Sequence, residues 1–264
     1  MVSDTTIRLV AFLGVFLLVG LAEHLWPRRQ LTVPKGQRWF CNTSIVVIDS
    51  VVARLALPFM PAGVAEIARM TGWGLFNVLT VPLWLKIVLV ILALDLVIYL
   101  QHRAFHRIPF FWRFHRMHHT DLDIDVSSGN RFHPIEILIS LAIKMGAVAV
   151  LGAPVIAVVI FEILLNATSL FNHGNLRIPE RIDHWLRLVL VTPDMHRVHH
   201  STIPRETDSN FSFNLPWWDR LLGTYRDQPR NGHLAMTIGL NEFRDAGRLG
   251  VGYLLMLPFR GRTG

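Results

Sequence analysis

Thirteen histidines occur among 264 residues, and eight of them fall in three short boxes. His102-Arg-Ala-Phe-His106 has the spacing HxxxH, while His115-Arg-Met-His118-His119 and His196-Arg-Val-His199-His200 are both HxxHH. Residues three and four apart share a helix face, so each box is expected to aim its imidazoles at a common spot. Neutral imidazole is the commonest side-chain metal ligand near neutral pH. Eight clustered imidazoles without an ion would be costly to desolvate or to charge together. The boxes therefore predict metal binding. They hold more nitrogen ligands than one tetrahedral zinc can use, which points to two ions with four or five ligands each. Imidazole suits Zn, Cu, Fe and Ni alike, so ligand type leaves the metal open.

The boxes need rigid helices, and the local signals supply them. Thr192-Pro193-Asp194 ahead of the third box reads as an N-cap, a proline at the first helical position and an acid in the first turn. The first box continues an apolar run, Val81–Leu100, and Asp95 sits seven residues before His102 on the same stripe. A metal-bound histidine usually gives its other N–H to a carboxylate or carbonyl, so Asp95 is a candidate partner. The other reading is an interfacial ion pair with an arginine.

The chain is 52% hydrophobic and 17% charged, with a mean hydropathy of +0.39. Soluble domains average about 25% charged residues, so the balance points to lipid. The net charge is +7. Nucleic acid is one partner for such an excess, but these arginines flank apolar runs, where anionic headgroups lie. One cysteine, Cys41, excludes an internal disulfide framework and a multi-thiolate metal site. Apolar segments recur at Ile7–Trp26, Asn42–Met60, Val81–Leu100, Ile135–Leu151 and Pro154–Phe171. The first reads as a retained span rather than a cleaved leader, and the second, with Asp49 and Arg54, as partly interfacial. The last two form a tight hairpin about Gly152-Ala153-Pro154. Arginine and lysine concentrate in 27–38 and 101–134, whereas 61–80 has only Arg69. The positive-inside rule then places the N-terminus outside and every histidine box in the cytoplasm. Leu249–Phe259 is too short to span and is expected at the interface.

The three boxes on a polytopic membrane chain resemble the fatty acid hydroxylase and sterol desaturase superfamily. The resemblance runs from about Asp95 to Tyr225. Arg131-Phe-His133-Pro134-Ile-Glu136 is similar to its RxHPxE stretch, and Phe171-Asn-His173-Gly-Asn175 to its FxHxN. Asn210-Phe211 and Trp218-Asp219-Arg220-Leu-Leu-Gly223-Thr224-Tyr225 are similar to its NY and WDxxFGT elements, with Phe for Tyr and Leu for Phe. The resemblance implies a membrane-bound di-iron centre, with zinc substituting in purified protein. With O2 it would hydroxylate or desaturate a sterol, fatty acyl chain, sphingolipid or carotenoid. The box histidines His102, His106, His115, His118, His119, His196, His199 and His200 would be ligands, with His173 a ninth.

The fold expected is an all-α polytopic membrane bundle with a cytoplasmic histidine-box metal-binding cap. It divides into an N-terminal membrane region (1–80), a catalytic region (81–230) and an interfacial tail (231–264). His133 is a further candidate ligand, but it precedes Pro134 at a helix start, which favours a supporting or structural role. Asn175 and Asn210 either orient ligands or cap turns. His24, His184 and His233 read as ordinary interface or surface histidines, and Trp217-Trp218 as part of an interfacial belt. Asp121, Asp123 and Asp125 imitate a calcium loop, yet Val126 and Phe132 stand where it needs Gly and Glu. No GxGxxG follows a strand and no HPGG haem stretch is found, so electrons are expected from a separate protein or reductase. Two other classes stay open. A membrane zinc hydrolase would keep the ligands but need no reductase, and a metal transporter would hold them near the bilayer midplane.

Overall fold

Prolines punctuate the apolar stretches, and long helices begin at or just after Pro34, Pro82, Pro109, Pro134 and Pro154. Proline presets the helical φ and has no N–H to leave unpaired in the first turn. The computed structural model describes residues 4–260, so the outermost parts of the expected terminal regions, 1–3 and 261–264, lie outside the described residues. The main helices are α1 (Asp4–Leu25), α2 (Lys35–Ala56), α3 (Pro61–Thr71), α4 (Leu75–Val78), α5 (Leu83–Arg107), α6 (Pro109–His119), α7 (Pro134–Leu151), α8 (Val155–His173), α9 (Glu180–Leu186) and α10 (Pro193–His199). Among the described residues there is no strand, only the isolated bridges Pro27–Leu176 and Ser201–Ile238.

The all-α membrane architecture is as expected. Five stretches are long and apolar enough to cross a bilayer: α1, α2 with the α3–α4 segment that follows it, α5, α7 and α8. Their outward faces stay apolar and exposed, as at Leu17, Leu18, Val47 and Leu55, the last 84% exposed. So many exposed aliphatic groups suit hydrocarbon rather than water. The inward faces meet in a core of Val90, Leu94, Ile98, Val148, Ala157, Val158 and Phe161, where α5 lies between α7 and α8. The α7–α8 turn is held at the far end by a backbone approach: a Cβ on Gly74 (φ +96°) would lie 2.3 Å from Gly152 N. Only glycine adopts that φ at no steric cost.

The opposite end carries the histidines, because the C-termini of α1, α5 and α8 meet the N-termini of α2 and α7 there. A buried ion network fixes that end. Arg38 of α2 donates to both oxygens of Asp121 (2.9 and 2.9 Å), to Asp125 (2.5 Å) and to the Asp123 carbonyl (2.7 Å). Asp123 in turn accepts from the backbone of Thr32 and Val33. The calcium-like acids are thus the lock between α2 and the 120–130 loop. Burial alone would raise the Asp121 carboxyl, but the Arg38 and Arg131 guanidiniums hold it well below the usual carboxylate range.

Leu254 and Leu257 are buried on Cys41, Ile45 and Met117, and Arg116 donates to the Leu257 carbonyl at 2.6 Å. The segment packs on α2 and α6 at the histidine end.

Candidate metal centre

The last two turns of α5 present His102 and His106, and α6 meets α5 directly through the Ile108-Pro109 corner, folding His115, His118 and His119 back over them. The end of α8 adds His173. The α10 helix adds the third box, with the Thr192 hydroxyl accepting from Met195 N as N-cap. Arg28 from the end of α1 and Arg197 both donate to Asp194, tying α10 in place.

Nine imidazoles converge, in two sets. His102, His106, His115, His119 and His199 form one, and His118, His173, His196 and His200 the other; within each, one ligand atom per residue lies within 4.8 Å of all the rest. The expectation of one spot per box fits His102 and His106, but each HxxHH box is divided between the two sets. At about 100° per residue, positions i and i+4 stand about 40° apart, while i+3 falls about 60° to the other side of i. His115 and His119 therefore face one set and His118 the other; His196 and His200 part from His199 in the same way.

The arrangement fits metal ions. In the four-histidine set the Nε2 atoms of His173 and His118, and of His196 and His173, stand 3.1 Å apart, with His200 Nε2 3.3 Å from both His173 and His196. Nitrogens about 2.0–2.1 Å from one ion stand about 3.0–3.4 Å from one another. In the five-histidine set the Nε2 atoms of His102, His106, His115, His119 and His199 are buried with no hydrogen-bond partner. Such atoms are expensive to leave bare. Burial takes His115 down to about 3, and burial followed by neighbouring imidazoles holds His118, His119, His196, His199 and His200 well below the ordinary histidine range. The rings are thus neutral, with lone pairs to give.

The opposite ring nitrogens explain how the lone pairs are aimed. Nδ1–H donates to Phe211 O from His102 (2.7 Å), to Ser209 O from His199 (2.8 Å), to Ser169 O from His173 (2.8 Å) and to Arg131 O from His118 (3.2 Å). His115 donates to the Glu136 carboxylate at 2.6 Å, and His106 Nδ1 lies 3.4 Å from Asp208. Each contact fixes one tautomer and turns Nε2 inward. Sequence reasoning missed these acceptors because most are backbone carbonyls, which no residue letter announces. Glu136 was visible in the RxHPxE stretch, but only as a motif letter.

The Asp95 expectation is corrected. Its carboxylate accepts from Asn214 Nδ2 (2.8 Å), Trp218 Nε1 (2.8 Å) and Leu215 N (3.3 Å), not from an imidazole. Two helical turns separate Asp95 from His102 by about 10 Å along the axis, so a shared stripe is not a contact. Asp95 anchors the 214–218 loop instead. The same bond holds Trp218 half-buried, whereas Trp217 is 40% exposed. Asp219 accepts from Phe211 N and Ser212 N, and Asn210 (φ +51°) donates to Met195 O and Arg226 O; together they hold the loop whose carbonyls meet His102 and His199.

His133 caps α7, accepting from Ile135 N through Nδ1 and donating to Leu255 O, and lies in neither set. Asn175 bonds to Arg29 through both ends of its amide and is not brought to the metal sets. His24 and His184 are exposed, but His233 is buried near Asp194 (3.7 Å), contrary to the surface expectation.

A family model described as fatty acid hydroxylase matches residues 87–224, just over half of the chain. The chain is 27% identical over 258 residues to an ornithine lipid hydroxylase of Rhizobium tropici, covering 95% of this chain and 75% of that protein. It is 27% identical over 160 residues to the alkylglycerol monooxygenase of Xenopus tropicalis, covering 59% of this chain and 34% of the relative. Against the Caenorhabditis elegans alkylglycerol monooxygenase the figures are 28% over 197 residues, 71% and 37%. The chain thus spans three quarters of the first relative and about a third of the monooxygenases. No solved structure matches it.

Proposed function

This chain belongs to the fatty acid hydroxylase family, and on that premise we propose that it is a membrane oxygenase that uses two iron ions and O2 to hydroxylate a lipid. The observation that carries the reading is the gathering of nine buried imidazoles into sets of five and four, with Nε2 atoms turned inward. Iron bound there would supply the redox steps that O2 activation needs and that zinc lacks. His102, His106, His115, His119 and His199 would hold one ion and His118, His173, His196 and His200 the other. Zinc would be held by the same nitrogens in purified protein.

The remaining work falls to residues that position and exclude. Glu136 and the carbonyls of Ser209, Phe211, Ser169 and Arg131 hold the rings in register and keep them basic. Phe132 stacks on His118 at 4.6 Å and Phe213 packs on His102 at 5.0 Å, screening the centre from water. Residues 81–230 form the catalytic region in this reading; 1–80 contribute the Arg38 lock, and 231–264 the Leu255 carbonyl at His133. The centre faces the cytoplasm of a bacterial inner membrane, where an electron carrier reaches it. Substrate enters from the bilayer. The relatives named above act on an ornithine lipid and on alkylglycerols, so a polar-headed lipid is the proposed substrate and hydroxylation the proposed outcome.

The test is turnover of a bacterial lipid extract under ¹⁸O2 by iron-loaded protein, with a reductase added and then omitted. One labelled oxygen per product, dependent on both O2 and reductant, is expected. Undiminished product formation under strict anaerobiosis would overturn the oxygenase and favour the hydrolase.

A further inference from the structure

Arg8, Asp49, Arg54, Lys144 and Glu162 are ionisable side chains within the membrane-spanning helices that belong to neither metal set. Charges at membrane depth are costly and mark functional positions. Four of them line one of two adjoining spaces. A chamber of about 160 Å³ is walled by His102 and His115 together with Lys144. A groove of about 880 Å³ between α1, α2 and α7 is walled by Arg8, Asp49 and Arg54. Phe132 and Asn166 belong to both walls.

Size assigns the chamber to one end of a lipid. Sites that enclose a drug-sized molecule run to about 300–1,000 Å³, so the chamber admits a small group and the groove takes the tails. Composition selects the end. Besides Lys144, the chamber wall carries Gln101, Asn130, Ser140, Asn166 and Ser169, and Glu136, whose carboxylate accepts from His115. A methyl-ended chain would desolvate these groups and return no hydrogen bond. The Lys144 ammonium has three donors, and it reaches Glu162 only at 3.5 Å, near the limit of a hydrogen bond. Glu162 has a closer cation in Arg8, at 3.0 Å. Of the carboxylates around the two spaces, Glu136 is taken by His115 and Glu162 lies closer to Arg8, which leaves Lys144 without a closely paired carboxylate.

We propose that the chamber binds an anionic group of the lipid substrate, a carboxylate or a phosphate, with Lys144 as its specificity-determining anchor. The anion takes the free donors of Lys144 while Glu162 stays on Arg8. The proposal deepens the oxygenase reading and rests on it only for what happens after binding. Lys144 lies eight residues along α7 from Glu136, whose carboxylate orients His115, a rise of about 12 Å. The position of oxidation is therefore measured from the anionic group and is independent of tail length.

The experiment reads binding without turnover. Full-length protein in phosphatidylcholine nanodiscs is offered an equimolar mixture of an ornithine-type lipid, phosphatidic acid and a neutral alkylglycerol, and retained lipid is read by native mass spectrometry. An anionic lipid should be retained over the alkylglycerol, and the carboxylate and phosphate arms identify which anion. Lys144→Met should lower that retention about tenfold or more, the loss of one charge-assisted hydrogen bond, and leave the alkylglycerol unchanged. Lys144→Arg should restore it, and Glu162→Gln, which removes the competing carboxylate, should raise it. Where Lys144→Met fails to fold, the Lys144→Arg and Glu162→Gln pair decides by the same signs. Equal loss of all three lipids, no loss, or preference for the alkylglycerol overturns the anchor. Labelled product from a protein with no anionic preference would sink the anchor and spare the oxygenase, and the reverse pattern would do the opposite.

Discussion

Glu136→Gln perturbs one half of the centre and leaves the other alone. The Glu136 carboxylate accepts the His115 Nδ1–H at 2.6 Å, and no member of the four-histidine set leans on it. Glutamine keeps an acceptor oxygen but removes the charge that makes His115 a stronger donor to a metal. Loss of such an outer carboxylate typically weakens metal binding by about 10–100-fold, or about 1.4–2.7 kcal/mol. His118 and His173 rest on the carbonyls of Arg131 and Ser169, which the substitution does not touch. Metal-reconstituted protein dialysed against rising chelator should then release its two ions in separate steps. In the variant the first step should move to about 10–100-fold lower chelator, with a plateau near one ion per chain, while the second step stays in place. Simultaneous loss of both ions, or wild-type release of both, would refute the division into two sets and the role of Glu136.

Arg38→Met should destabilise the fold by about 3–5 kcal/mol, because Asp121 and Asp125 are left buried without their cation; chemical denaturation in detergent measures it, and a loss under 1 kcal/mol would contradict the lock. The metal-free protein should weaken in acid. His115 falls from 6.5 to about 3 on folding, so the unfolded chain takes up a proton that the folded chain refuses. Stability is complete above about pH 6.5 and declines as pH drops toward 3, by at most about 1.4 kcal/mol per unit for each such histidine. Melting of apo-protein between pH 7.5 and 5 checks the sign, and a rise in acid would refute it. Reporter fusions after Arg38, His119 and His200 should read cytoplasmic and one after Arg69 outside; an outside signal at His119 would break the shared face.

What the sequence made legible were features with a short period. Helical spacing marks the boxes, hydropathy marks the five stretches, and Thr192-Pro193-Asp194 marks the start of α10. Features set by tertiary approach were not legible. His118 and His119 are neighbours in sequence, yet they serve different sets because about 100° of helix turn separates them. Asp95 shares a stripe with His102, but its partners come from residues 214–218, more than a hundred positions away. Asp121, Asp123 and Asp125 look like cation ligands in sequence, yet Asp121 and Asp125 take a guanidinium brought by α2 and the Asp123 carboxylate takes backbone N–H groups. The polar chamber was invisible for the same reason. Gln101, Lys144 and Asn166 are isolated letters in three apolar helices until packing places them around one space.

The most direct measurement is Mössbauer spectroscopy of protein reconstituted anaerobically with ⁵⁷Fe and matched to an iron count per chain. Sets of five and four histidines predict two irons per chain in two inequivalent signals of equal intensity. One iron per chain, or a single signal that His115→Ala and His196→Ala diminish alike, would contradict it.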